Sequence, residues 1–336
     1  MKRKFKRYSA GFTPVLIVVG VAIVLALGAI MYFSLGSKNV GVNKPGSVIE
    51  KAQNDVVGGP GSALEISWEK DVGSRVTGGS VPFVYKLQDG RVRLYYCSGD
   101  TISSSISQDG ITFVKEQGIR IASGTGNELI VCDPTIVNLP DGKVRMYYKG
   151  ADSMNPGPGK SVHKIYSAIS TDGLTFQKEG LRIDSETNGD NRWASVPDAI
   201  MLPDGRVRLY YVTASEMEHG IGSAISTDGL NFTKEPGLRV PSLVDPALVK
   251  FGDKYVIFAA SIDERFGGLP KGIYYTESSD GLDFGEPVAV FQENDVYDPT
   301  VLKVDENTIR VFYGKVVPPN PPAVESHTGR ITPLAD

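Results

Sequence analysis

The sequence predicts an all-β protein, a five-bladed β-propeller that is closed by an N-terminal strand and preceded by one transmembrane helix. Three observations support this prediction. A hairpin-like segment recurs from about residue 80 onward, a Ser-x-Asp-Gly turn recurs with it, and one long apolar run lies near the N-terminus. Repeats of four short strands at a fixed period of some tens of residues are typical of propeller blades.

The repeating unit is clearest between Val196 and Phe232. Its first half contains two apolar runs joined by Pro-Asp-Gly-Arg, and an Asp-Gly turn between β-rich runs predicts a hairpin. The related segments are KLQDGRVRLYY (86–96), NLPDGKVRMYY (138–148), MLPDGRVRLYY (201–211), KFGDKYVIFAA (250–260) and KVDENTIRVFY (303–313). Five copies of this hairpin predict five blades.

The second half of the unit contains the turn Ser-x-Asp-Gly, and an aromatic residue stands three positions after its glycine. Its aspartates are Asp109, Asp172, Asp228 and Asp280, which lie 63, 56 and 52 residues apart. Both recurrent turns fall at the end of the ring where the inner strands finish, which we call the bottom face. Because Asp in such turns bonds nearby backbone amides, we interpret these residues as structural.

The fifth unit has its first hairpin but lacks the Ser-x-Asp-Gly turn. The segment LEISWEKD (64–71) resembles GLTFQKEG (173–180), with Trp68 in place of Phe176. We therefore expect the N-terminal strand to complete the fifth blade. This closure removes the open edges that an unclosed sheet would expose.

The N-terminal region divides into a basic cytoplasmic start (1–11), a transmembrane helix (12–35) and a flexible linker (36–63), ahead of the propeller (64–336). The uncharged run from Phe12 to Phe33 has membrane-spanning length, and the basic residues before it predict that the N-terminus lies inside. A cleaved signal peptide is the alternative, but its apolar core is usually about 7–15 residues. The prediction is a single-pass protein of the cell membrane with an extracytoplasmic propeller.

Composition excludes several classes of protein. The net charge of −4 gives no nucleic-acid footprint. His163, His219 and His327 belong to different blades without a fixed spacing, so we expect solvated loop histidines and no metal or other cofactor. Cys97 and Cys132 are predicted at the top of adjacent blades. A disulfide between them is permitted outside the cytoplasm, and two buried thiols are the alternative.

The propeller resembles the glycosidase superfamily that contains glycoside hydrolase families 43, 32 and 130. The resemblance covers residues 64–336 and rests on five blades, the S-x-D-G-x-x-aromatic turns and Asp-Pro at the heads of inner strands. Sialidases resemble the chain less, because their turn reads S-x-D-x-G-x-x-W and they usually have six blades. The resemblance implies a protein that acts on carbohydrate at the top face of the ring, as a glycoside hydrolase or a glycan phosphorylase.

Members of families 43 and 32 carry one acid on each of three successive inner strands. By resemblance, only Asp133, which precedes Pro134, matches this pattern, because Val81 and Ser195 stand where the other acids are expected. Asp198 matches an acidic position of some family 32 members. Hydrolysis of a glycoside needs two carboxyl groups, so Asp133 alone cannot perform it.

The predicted catalytic residues are therefore Asp133, Asp198, Glu216 and Glu218. In this hypothesis a glutamate of the 216–218 loop donates the proton, and Asp198, Asp245 or Asp298 lies across the sugar. The predicted substrate-binding residues are Arg192, Trp193, His219, Asp245, Arg265 and Asp298. For single residues a structural alternative remains open: Trp193 packs between blades and the strand-head aspartates cap turns. For the whole propeller the alternative is a protein that binds glycan or a surface partner without catalysis.

Overall fold

A computed structural model describes residues 64–153, 160–214, 219–263, 268–316 and 319–333. Within these ranges the chain forms five antiparallel sheets, and the first strand of each contacts the first strands of its two neighbours. The sheets are therefore blades around a common axis, which confirms the predicted all-β, five-bladed propeller. The helical structure in the described ranges is a single 3₁₀ turn, Gly126–Glu128.

The strands follow the repeating unit, with the innermost strand first in each blade. The N-terminal strands are β1 (Leu64–Lys70) and β2 (Val76–Thr77). Blade I contains β3 (Ser80–Lys86), β4 (Val92–Ser98), β5 (Thr101–Ser107) and β6 (Val114–Lys115). Blade II contains β7 (Ile130–Asn138), β8 (Val144–Ala151), β9 (His163–Ser170) and β10 (Gln177–Ile183).

Blades III to V repeat this order. Blade III contains β11 (Ala194–Met201), β12 (Val207–Ala214), β13 (His219–Ser226) and β14 (Thr233–Pro241). Blade IV contains β15 (Val244–Phe251), β16 (Lys254–Ser261), β17 (Gly272–Ser278) and β18 (Val288–Phe291). Blade V contains β19 (Val296–Asp305), β20 (Thr308–Lys315) and β21 (Ala323–Pro333), with β1 as its fourth strand.

The N-terminal strand closes the ring as predicted. Strand β1 pairs antiparallel with β21 along its whole length. Trp68 packs edge-on against Phe258 of blade IV, with ring centroids 6.1 Å apart. Phe176 of blade II packs in the same way against Tyr95 of blade I, at 6.2 Å. The match of Trp68 to Phe176 is therefore confirmed.

A largely buried ion pair joins the second and fourth strands of most blades. In blade I, Arg93 Nε lies 2.7 Å from Glu116 Oε2, which also accepts a 2.7 Å hydrogen bond from Ser104 of the third strand. The equivalent pairs of blades II and III are Arg145–Glu179 and Arg208–Glu235. In blade V, Arg310 Nε lies 3.1 Å from Oδ2 of Asp71, directly after β1. The N-terminal strand thus carries the carboxylate that the fourth strand supplies in blades I to III.

The Ser-x-Asp-Gly turns are structural. In blade II, Asp172 Oδ1 accepts hydrogen bonds of 2.8 Å from the backbone of Leu174 and Thr175, and these bonds lower the pKa of Asp172 to about 2. Gly173 has φ of 67° and its carbonyl accepts a 2.8 Å bond from Tyr95 Oη of blade I. A Cβ on Gly173 would lie 2.8 Å from Tyr95 Oη, so only glycine fits this contact between blades.

The two cysteines form a disulfide, with a Cα–Cα separation of 5.1 Å. Cys97 lies in the second strand of blade I and Cys132 in the first strand of blade II. The bond therefore joins two adjacent blades near the top of the ring. Of the two alternatives left open by the sequence, the disulfide is the one that the structure contains.

The predicted transmembrane helix (12–35) and linker (36–63) lie outside the described residues. In the part of the chain that the structure describes, no helix has both the length and the apolar character needed to span a membrane.

Candidate functional site at the propeller axis

An X-Pro step near the start of each inner strand builds the centre of the ring. At each step the pairing with the second strand shifts register, as it does between Cys132 and Thr135 of blade II. The residue before each proline has a left-handed φ, between 44° and 59°. These five strand-head residues are Val81, Asp133, Val196, Asp245 and Asp298. Because Asp tolerates this conformation better than Val, valine at two of the five positions marks backbone strain there.

The X-Pro steps enclose a small cavity on the axis. Its walls include Asp133, Asp198 and Asp298, with the prolines of all five blades. The cavity measures about 20 Å³, which is room for about one water molecule. A ligand larger than a water molecule therefore does not fit within this cavity.

Asp133 is a buried, fully bonded carboxylate. Lys149 Nζ lies 3.1 Å from Oδ1 and 3.0 Å from Oδ2. Oδ2 also accepts hydrogen bonds from Ser195 Oγ at 3.2 Å and from the backbone N–H of Val196 at 3.0 Å. The Val196 bond crosses from blade II to the strand head of blade III. Asp133 thus lies on the axis as predicted, and its contacts hold two blades together.

Asp198 lies one level below the strand heads and also joins blades. Its Oδ1 accepts bonds from Thr135 Oγ1 of blade II at 2.7 Å and from its neighbour Ala199 N at 3.0 Å. Its Oδ2 accepts a bond from the backbone N–H of Leu248 in blade IV. Burial raises the pKa of Asp198 to about 6. These contacts explain Asp198 structurally, and its catalytic assignment stays a prediction.

Asp245 and Asp298 form a pair of carboxyl groups on adjacent blades. Asp245 Oδ2 accepts a 3.3 Å bond from the backbone N–H of Asp298. Burial first, and the charge of Asp133 second, raise the pKa of Asp245 to about 7. Burial and the charges of Asp245 and Asp133 raise the pKa of Asp298 well above its usual range. Both shifts favour the protonated form of the pair.

Asp298 differs from the other strand-head acids in its hydrogen bonding. None of the described residues donates a hydrogen bond to its carboxyl group, whereas Asp133 and Asp198 each accept bonds from three residues. Asp298 is also only partly buried. Among the carboxyl groups of Asp133, Asp198, Asp245 and Asp298, that of Asp298 therefore accepts the fewest hydrogen bonds from the described residues.

A polar chain extends from Asp133 to a buried histidine. Ser195 Oγ lies 3.2 Å from His163 Nδ1, and His163 Nε2 lies 3.0 Å from Ser161 Oγ. Trp193 stacks on the His163 ring at a centroid distance of 3.8 Å. Burial and the charge of Lys149 hold the pKa of His163 well below its usual range, so the ring is neutral. Trp193 thus packs one face against protein, as one of the two alternatives expected.

The expectation of solvated histidines is wrong for two of the three. His163 is 2% exposed because it begins strand β9, and His327 is 7% exposed because it lies within β21 and stacks on Phe291 at 3.9 Å. His219 is partly buried at the start of β13. His163 and His327 thus lie in strands and not in the predicted loops, and aromatic neighbours cover both rings.

The remaining predicted residues are placed as follows. The Arg192 side chain is 50% exposed and lies 3.8 Å from Glu186. Glu216, Glu218 and Arg265 lie outside the described residues. Among the described side chains, the only group of three potential metal ligands is Cys97, Cys132 and Asp133. Both of its sulfurs are already bonded to each other, so this donor set does not suit a metal ion.

The sequence reasoning missed Lys149, Ser195 as a hydroxyl donor and His163 as part of the axial network. Lys149 could have been found from the hairpin register, because it pairs with Cys132, the residue directly before Asp133. No comparable signal existed for His163 and Ser195, since the connection between blades that brings them together has no periodic pattern.

Comparison with known proteins gives a likeness of fold. No protein-family model matches the chain, and no curated protein matches it. A solved glycoside hydrolase superposes with a TM-score of 0.64 at 15% identity, covering 77% of this chain and 91% of its own. A thermostable family-43 glycoside hydrolase gives 0.60 at 17%, covering 80% and 93%. A family 117 glycoside hydrolase from the marine bacterium Zobellia galactanivorans gives 0.60 at 17%, covering 84% and 94%.

The class defined by these structures is the five-bladed propeller of glycoside hydrolases, and the chain has that fold. The resemblance read from the sequence is confirmed at this level. At such low identities the likeness establishes the architecture alone.

Proposed function

We propose that this protein acts on carbohydrate at the top face of the propeller, as a glycosidase-like enzyme. The observation that carries the proposal is the carboxyl pair at the axis, Asp245 and Asp298, in which Asp298 accepts no hydrogen bond from the described residues. Carboxyl groups flanking the scissile bond are the catalytic requirement of most glycoside hydrolases. The fold shared with solved glycoside hydrolases supports the same substrate class.

Asp298 has the properties of a general acid. Such an acid must keep its proton near neutral pH until the glycosidic oxygen accepts it. Burial and the neighbouring charges of Asp245 and Asp133 raise the pKa of Asp298 in the required direction. The proton passes to the leaving oxygen as the bond to the anomeric carbon breaks. A water molecule then adds to that carbon and gives its proton to a second carboxylate. We assign this role to Glu216 or Glu218, which the sequence predicted as the proton donor.

Asp133 is assigned a different part in this proposal. Its two oxygens are surrounded by Lys149, Ser195 and the backbone of Val196, so proton transfer through it would break an established network. Its fixed negative charge can stabilise the positive charge that develops on the sugar in the transition state. In this proposal Asp133 anchors the site without transferring a proton.

The test is a panel of furanosides and pyranosides, each with an activated nitrophenyl and a poor alkyl leaving group. Asp298→Asn is expected to lower kcat on the alkyl glycosides by about 10²–10⁴-fold and on the nitrophenyl glycosides much less, because a good leaving group needs no proton. The fall in wild-type rate at alkaline pH should also disappear in this variant. Asp141→Asn, in an exposed bottom turn, is the control. Equal losses on both leaving groups would reject Asp298 as the acid.

A second candidate is a propeller that binds glycan without catalysis. The specific observation in its favour is that Asp133 and Asp198 are both engaged in bonds between blades, while Val81 and Ser195 replace the two other expected acids. The same panel separates the candidates. Absence of turnover on every substrate, with binding retained on a glycan array and lost in Arg192→Ala, would favour the binding protein.

The proposal includes attachment to the membrane through residues 12–35, with the propeller on the extracytoplasmic side. The basic start, the uncharged apolar run and the Gly-, Ser- and Pro-containing linker support it. Protease added to intact cells is expected to release a soluble propeller fragment that begins within residues 36–63. Full protection of the propeller until the cells are lysed would reverse the proposed orientation, and a secreted chain that begins after residue 35 would show a cleaved signal peptide.

A further inference from the structure

At two of the five junctions between blades, the side chain at one strand head binds the strand-head N–H of the next blade. Asp133 of blade II accepts the N–H of Val196 in blade III, at 3.0 Å. Asp245 of blade IV accepts the N–H of Asp298 in blade V, at 3.3 Å. We call such a contact a strand-head clasp. The side chain at one strand head thereby holds the backbone of the next strand head, whose residue has a left-handed φ.

Blade I lacks the side chain for this clasp, because its strand-head residue is Val81. The N–H of Asp133, in the next blade, nevertheless has a partner: it donates to Sγ of Cys97 at 3.2 Å. Cys97 pairs with Ser80, the neighbour of Val81, so its sulfur enters the ring from the second strand of the same blade. Its bond to Cys132 holds that sulfur beside Asp133.

We propose that the Cys97–Cys132 disulfide replaces the missing strand-head clasp of blade I and is a positioning device for Asp133. Cys97 supplies the acceptor for the Asp133 N–H that Val81 cannot supply. The covalent bond links blades I and II, as a carboxylate links blades II and III and blades IV and V. This inference concerns the backbone of the axial ring and holds whether or not the proposed function is correct.

The test is a substitution cycle in the full-length chain. Cys97→Ala/Cys132→Ala is expected to lower Tm by roughly 5 to 10 °C, as for loss of a disulfide closing a loop of this length. Adding Val81→Asp should then recover part of that loss, because its carboxylate can accept the Asp133 N–H. In the oxidised chain, Val81→Asp should instead lower Tm, since the acceptor position is filled and a further acid joins Asp133 and Asp298.

The matched control is Val196→Asp, the same substitution at the strand head of blade III. It adds an acid to the same ring, but its own N–H donates to Asp133 and it heads the blade after Asp133, so its carboxylate should not replace the acceptor of the Asp133 N–H. If Val81→Asp has equal effects on Tm with and without the cysteines, the proposal is wrong. A recovery by Val81→Asp that exceeds any recovery by Val196→Asp supports it.

Hydrogen exchange of the Asp133 amide separates positioning from general stabilisation. Removing the cysteines should speed exchange in a peptide covering 130–135 by at least tenfold relative to the peptide covering 244–248, and Val81→Asp should restore protection. If the cysteine-free chain does not fold, the same peptides are followed after reduction of folded chains with and without Val81→Asp. Equal acceleration of the two peptides, or no restoration by Val81→Asp, would overturn the inference.

Discussion

Lys149→Met is expected to lower the free energy of unfolding by about 3–5 kcal/mol, because it leaves the carboxylate of Asp133 buried without its cation. The side chain of Asp133 is 1% exposed and that of Lys149 is 15% exposed, so little water can reach Asp133 to replace the lost ammonium group. The bonds from Ser195 and Val196 remain, but neither carries a compensating charge. The measurement is chemical unfolding at neutral pH.

Lys143→Met is the matched control for this prediction. Lys143 forms an ion pair of similar length, 2.8 Å, with Asp141, but the two side chains are 43% and 53% exposed. Exposed pairs contribute about 0–1 kcal/mol, so the loss should be small. Combining Lys149→Met with Asp133→Asn should recover part of the loss, since no buried charge then lacks a partner. Similar losses for Lys149→Met and Lys143→Met would contradict the axial ion pair.

Asp71→Ala is expected to lower the free energy of unfolding by about 3 kcal/mol and to loosen the closure of the ring. Asp71 accepts bonds from Arg310 Nε at 3.1 Å, Ser326 Oγ at 2.6 Å and Thr328 Oγ1 at 2.8 Å. The Arg310 side chain is 11% exposed, so removal of Asp71 leaves a largely buried guanidinium group short of its carboxylate. The strand β1 should then become the first site of limited proteolysis.

Two comparisons accompany Asp71→Ala. Glu69→Ala, on the same strand but exposed, should change stability by less than about 0.5 kcal/mol. Glu179→Ala removes the corresponding carboxylate of blade II and should cost about as much as Asp71→Ala, but without early cleavage of β1. Unchanged stability in Asp71→Ala would show that backbone pairing of β1 alone closes the ring.

The architecture was predictable because each blade is formed by strands that follow one another in the chain and are joined by short turns. Hairpin turns such as Pro140-Asp141-Gly142 act over a few residues, and their fivefold repetition fixes the number of blades. Even the closing strand was predictable, since Trp68 occupies the place that Phe176 has in blade II. Local turn chemistry and alternation of apolar residues suffice for elements whose strands are neighbours in the chain.

The candidate site was predictable only in part, because it is assembled from residues of different blades. The X-Pro motif placed Asp133, Asp245 and Asp298 on the axis correctly. The lysine that binds Asp133 lies only 16 positions away and follows from the hairpin register. Which carboxyl group clasps the next blade depends instead on contacts between residues 63 and 53 positions apart.

The sequence by itself thus determined the blades, their closure and the ring of acids, because these follow from short-range patterns that repeat. Only the tertiary structure decided the use of each acid. Asp133 accepts the N–H of Val196 in the next blade, whereas none of the described residues donates a hydrogen bond to the carboxyl group of Asp298. The physical reason is that hydrogen bonding and burial at the axis are set by how the blades meet, and no repeat pattern within one blade records the partner in the next.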